Sequence, residues 1–157
     1  MPRDARPARH LGHLVRRWWG AVCARAPHPE AEVWAERWLL DGERSLWRRL
    51  SDGDRAHALA VARRYHTLRP HAARAEMAAA LLHDCGKLDS GLGTTLRVLA
   101  TLVGPRTERL RRYADHEAIG AELLRQAGSD PVTVSLVAGS HSAPPDCLAA
   151  LRVADDL

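Results

Sequence analysis

The chain is predicted to be all-α, a multi-helix bundle, and three observations predict it. Apolar residues recur at helical spacing, as at Leu11, Leu14, Val15, Trp18, Trp19 and Val22. Cap and breaker residues punctuate the chain where helices would start and stop: Ser51-Asp52, Gly86, Gly128, Asp130-Pro131 and Pro144-Pro145. The only period-2 candidate is the run of valines at 132–137, and there Asp130 followed by Pro131 favours a helix start.

Taken in order, residues 1–28 form a basic amphipathic helical extension and 29–157 one helical domain. Six arginines against one aspartate give residues 1–28 a charge of +5, leaving about −1 for the rest of a chain whose formal net charge is +4. A basic segment on a near-neutral domain argues against a broad nucleic-acid surface and for a local anionic contact. The apolar stripe within residues 10–25 fits two uses: packing on its own domain, or lying on an anionic membrane surface. No apolar run reaches the roughly 18 residues needed to span a bilayer, and the basic start lacks a secretory h-region, so a cytoplasmic protein is expected.

A second helix is expected over Glu30–Leu40, with Trp34 and Trp38 on one face, and Asp41-Gly42 then reads as a turn before a short helix over 44–50 that carries Trp47 inward. All five tryptophans lie in the first 47 residues, and there is no phenylalanine. Ser51 caps a helix running to about Leu68, with His57 in its early turns. After Pro70 comes the run Met77–Leu82, alanine- and leucine-rich and apolar on nearly every face, which marks the central helix of the domain.

Gly86 ends that run. Residues 87–95, KLDSGLGTT, read as a loop, Leu96–Val103 as an apolar helix, and Arg106–Tyr113 as a basic helix whose Arg106, Arg109, Arg111 and Arg112 face solvent or reach a phosphate. Asp115 is read as the cap of a further helix from His116 to Gly128. Another runs from Pro131 toward His141, Pro144-Pro145 ends it, and the last spans Cys147–Leu157. The three cysteines, Cys23, Cys85 and Cys147, are odd in number and lack CxxC spacing, so they read as free thiols in a reducing compartment.

The chemistry is concentrated where the central helix ends, in His83-Asp84-Cys85-Gly86-Lys87. A buried imidazole and carboxylate cost several kcal/mol unless they are hydrogen-bonded, paired or bound to a cation. Compatible ligands recur along the chain at His57, His116, His141 and Asp155. Lys87 is the single lysine among 23 basic residues, which suits a position wanting a compact ammonium rather than a planar fork.

This ordered set, with RAHALAVARRY around His57, HDCGK at 83–87, HEAIGAELL from His116, GSH ending at His141 and VADDL from Val153, resembles the HD superfamily of metal-dependent phosphohydrolases over residues 51–157. The resemblance implies that His57, His83, Asp84 and Asp155 hold one metal, with Asp156 as the rival to Asp155. It further implies that Asp84 bridges to a second ion held by His116 and His141, about 3.5–4 Å from the first. Asp84 and Lys87 would be the catalytic residues, Lys87 by pairing with a phosphate oxygen. Imidazoles and carboxylates without thiolate suit Mn, Fe, Co, Ni or Zn, with Mg as a weaker occupant. The substrate expected is a small phosphate compound, a nucleotide or another ester or anhydride. The same fold leaves two alternatives: a di-iron oxygenase, and a regulatory module that binds metal or nucleotide without turnover.

Overall fold

The structure, a computed structural model, describes residues 26–90 and 106–157, with the side chains of 89–90 and 106–115 excepted. The expected amphipathic helix at 10–25, with Trp18, Trp19 and Cys23, lies outside the described residues, as do the end of the expected loop at 91–95 and the helix expected over 96–103.

The described residues are all-helical, without strand: α1 (Pro29–Glu36), α2 (Asp41–Arg49), α3 (Asp52–Leu68), α4 (Arg74–Leu82), a 3-10 turn (Cys85–Ser90), α5 (Arg106–Gln126), α6 (Pro131–Val137) and α7 (Pro145–Asp156). α4 is the centre. Every residue from Met77 to Leu82 has zero exposure, because α4 packs against α2, α3 and α6 at once. Each fully buried Leu or Met there contributes roughly 1.5–3 kcal/mol of burial free energy. Around this axis α7 lies on α3, and α5 covers the 3-10 turn and α6.

Several boundaries differ from expectation, each for a local reason. α1 stops at Glu36, and Trp38 sits on the turn after it, where Trp38 N donates to Ala35 O at 3.0 Å. Asp41 and Gly42 do not make a separate turn but open α2, whose start is closed by Glu43 accepting from Leu40 N at 2.7 Å. Gly42 is required there by proximity, since a Cβ would meet Ala127 O at 2.1 Å. The expected break at Asp115 is absent: α5 runs unbroken from Arg106 to Gln126, because an acid ahead of an amphipathic stretch is compatible with a helix interior as well as with a cap. Lys87–Ser90 is 3-10 helix rather than open loop. α6 ends at Val137, so His141 falls on the following turn, and Pro145 starts α7 instead of only ending α6.

Other starts and stops follow the sequence closely. Ser51 Oγ accepts from Asp54 N at 3.1 Å, and Asp130 Oδ1 accepts from Val132 N at 2.8 Å. Gly128 has a φ of +73°, and Ser129 N reaches back to Leu124 O, a left-handed helix stop that glycine adopts without penalty. Trp47 is fully buried, with its indole N–H on Glu32 Oε2 at 2.7 Å. Among the described residues no helix is long and apolar enough to cross a membrane.

Candidate metal centre

Three helices deliver the central side chains. His57 lies in the second turn of α3, held in register by the Ser51 cap. His83 is the C-cap of α4, still in helical conformation, so the most buried helix of the fold ends by presenting its imidazole. Asp155 is the penultimate residue of α7. That helix end is anchored: Ala154 is fully buried, and the Arg64 guanidinium of α3 donates to the Ala154 carbonyl. Arg64 was not singled out by the sequence, since an arginine on a helix flank carries no signal of what its tip will reach.

The ligand atoms of His57, His83 and Asp155 all lie within 4.8 Å of one another. His57 Nε2 is 3.1 Å from Asp155 Oδ1, and His83 Nε2 is 3.5 Å from the same oxygen and 3.6 Å from Asp84 Oδ2. A cation bound at about 2.0–2.2 Å from each donor spaces its ligands roughly 3–3.6 Å apart, so these separations fit a shared ion. The two imidazole rings stand with centroids 5.5 Å apart.

The tautomer fits as well. His83 Nδ1 donates to Ala80 O at 2.9 Å, which fixes the ring and turns Nε2 toward the cluster, as a metal-binding histidine is normally held. Nε2 itself is buried and makes no hydrogen bond of proper geometry. Burial works against protonating His83, yet the Asp84 and Asp155 carboxylates outweigh it and raise its pKa. Burial likewise opposes ionising Asp84 and Asp155, but His83 and Lys87 hold the first below the usual carboxylate range, and His57 and His83 hold the second there. Two imidazoles and the Asp155 carboxylate thus converge, with the Asp84 carboxylate next to His83.

Asp84 sits beside this triad, and Lys87, three residues on, places its Nζ on Asp84 Oδ2. Asp156 is exposed, so the choice between the two terminal aspartates falls to Asp155. The two remaining predicted ligands are not in the group. His141 is exposed on the turn after α6. His116 is half-buried on α5, with an Nδ1 that is buried and unpartnered, and its backbone carbonyl is pressed against Gly86. The side chains of Arg106, Arg109, Arg111 and Arg112 lie outside the described residues.

The 3-10 turn owes its place to two glycines. A Cβ on Gly86 would meet His116 O at 2.0 Å, and one on Gly120 would meet Gly86 N at 3.2 Å. Gly86 therefore does more than end a helix, because it lets the turn bearing Asp84 and Lys87 lie against α5. Cys85 faces α5 as well, its thiol donating to Gly120 O at 3.6 Å, and burial pushes that thiol up to about 12. A buried thiol kept protonated in this way is a poor nucleophile, and Cys85 is not among the clustered ligand atoms of the described residues.

A separate cleft of about 590 Å³, lined by His28, Trp34, Arg63 and His66 among others, opens beside the later turns of α3 and contains none of these ligands. No protein-family model, curated protein or solved structure was found to match the chain.

Proposed function

We propose that the protein is a metal-dependent phosphohydrolase of the HD type, acting on a nucleotide or another phosphate ester or anhydride. One observation carries the proposal: His57, His83 and Asp155, separated by up to 98 residues in sequence, converge from three helices with donor atoms within 4.8 Å. A divalent ion held by these residues would supply Lewis acidity toward a phosphoryl oxygen and would activate water near neutral pH. Mn, Fe, Co, Ni or Zn suits the imidazole and carboxylate donors.

The chain's own residues divide the remaining work. His57, His83 and Asp155 would hold the ion, and the His83–Ala80 bond keeps the ring from rotating away. Asp84, ionised between His83 and Lys87, completes the donor set and accepts a hydrogen bond from an attacking water. The Lys87 ammonium adds a positive charge beside the reacting phosphate, where negative charge grows in the transition state.

The test is phosphate release from a panel of mononucleotides, dinucleoside polyphosphates and phosphodiesters, with the purified chain loaded in turn with Mn, Fe, Co, Ni and Zn. Hydrolysis that requires the ion and disappears in His83→Ala is expected. A fully metal-loaded protein inert toward every class would refute hydrolysis and leave a binding module.

A further inference from the structure

Resting on the metal reading above, we propose that Lys87 stands in for a second metal ion, so that the centre takes one ion with an ammonium as its fixed partner charge. The first ground is the pairing itself. Asp84 is the carboxylate that the resemblance assigns as the bridge of a two-ion centre, yet its Oδ2, the oxygen facing His83 Nε2 at 3.6 Å, is in contact with Lys87 Nζ. The contact is built into the backbone. Lys87 follows Asp84 by three residues, and Lys87 N donates to Asp84 O at 3.0 Å, so the turn itself folds the side chain back over the carboxylate.

The second ground is the supply of ligands. A second ion needs donors beyond a shared carboxylate, and one of the two imidazoles that would provide them, His141, is exposed on the turn after α6. Of these two imidazoles, His116 belongs to the helix that lies against the turn, where its backbone carbonyl faces Gly86.

The third ground is charge. Asp84 and Asp155 are the carboxylates that contact the two clustered imidazoles. Counted among the described residues, these two carboxylates, Lys87 and one divalent ion sum to a single positive charge, which one hydroxide or phosphate oxygen would neutralise. A second divalent ion beside the ammonium would leave the group strongly positive in a partly desolvated place, where repulsion is poorly screened.

The experiment is a Mn(II) titration of the metal-free full chain and of Lys87→Gln and Lys87→Glu. Free Mn(II) is counted by electron paramagnetic resonance and stoichiometry by calorimetry, with melting temperatures recorded for each protein. Wild type should bind one ion. Lys87→Gln should bind its first ion at least 10-fold more tightly, because a like charge has been removed. Lys87→Glu, which exchanges the ammonium for a ligand, should bind two ions with the broadened signal of a coupled pair. Two tight ions in wild type, or one ion of unchanged affinity in both variants, would overturn the role of Lys87 while leaving the metal centre intact. No bound ion in folded wild-type protein would instead overturn the metal centre, and this inference with it.

Discussion

Replacing Gly86 by alanine tests how the 3-10 turn is held against α5. The added Cβ would lie 2.0 Å from His116 O, 2.9 Å from His116 C and 3.0 Å from Gly120 N. All three are backbone atoms, so no side-chain rotation relieves the clash, and the segments must part by roughly 1 Å or more to regain ordinary contact. Gly86 is not among the glycines with positive φ, so the cost is steric and not conformational. Overpacking of this kind costs about 1–3 kcal/mol, and clashing backbones put Gly86→Ala at the upper end. At about 2–4 °C per kcal/mol for a chain of this size, Tm should fall by roughly 6–12 °C. The same displacement moves Asp84 and Lys87 relative to His57 and Asp155, so Mn(II) affinity should fall too. Gly128→Ala is the control: φ is +73° with nothing within 4 Å, so it should cost only about 1–2 kcal/mol and leave Mn(II) affinity alone. Calorimetric melting and Mn(II) titration of both variants read this out. A Gly86→Ala protein that melts within a degree of wild type with unchanged affinity would refute the packing argument.

Other expectations follow from the same contacts. Lys87→Ala should lower turnover by roughly 10²- to 10³-fold with little change in Tm, and wild-type turnover on an active substrate would contradict its role. Glu76 accepts from Tyr65 Oη and Arg69 Nε, each at 2.8 Å, and these bonds outweigh burial and lower its pKa. Its stabilising contribution is present above the ordinary carboxylate range and is lost as pH falls through the lowered value. Glu76→Gln should therefore melt lower than wild type at pH 7, and the gap should narrow toward pH 3; a gap constant across that range would count against the linkage. Cys85, fully buried with its thiol pushed up to about 12, should be alkylated no faster than the protein unfolds, as mass mapping of labelled peptides would show. Rapid labelling in folded protein would contradict its placement.

The all-helical class and the centrality of Met77–Leu82 were legible because an apolar run without glycine or proline leaves little choice but a buried helix. The caps at Ser51 and Asp130 and the stop at Gly128 were legible because they are local chemistry. Gly42 and Gly86 were misleading in one respect: both looked like turn or stop signals, and both are close-approach positions facing α5 or the turn after it. A glycine's neighbour across the fold leaves no mark in the local sequence. Asp155 over Asp156 was undecidable from two adjacent identical residues; the phase of α7, fixed by buried Leu151 and Ala154 and by Arg64, turns Asp155 inward. His141 looked equivalent to the other candidate histidines, yet α6 ends four residues before it and leaves it facing solvent.

The most direct test of the metal centre is elemental analysis of wild type, His83→Ala and Asp155→Ala after identical loading with Mn or Zn and removal of free ion. His83 and Asp155 come from different helices and share only the cluster, so loss of either should remove the ion by deleting a ligand, with circular dichroism confirming that the helices persist. About one equivalent of metal in wild type and near none in both folded variants is the predicted result. Undiminished metal in both variants would mean that the ion, and any chemistry it performs, belongs elsewhere in the chain.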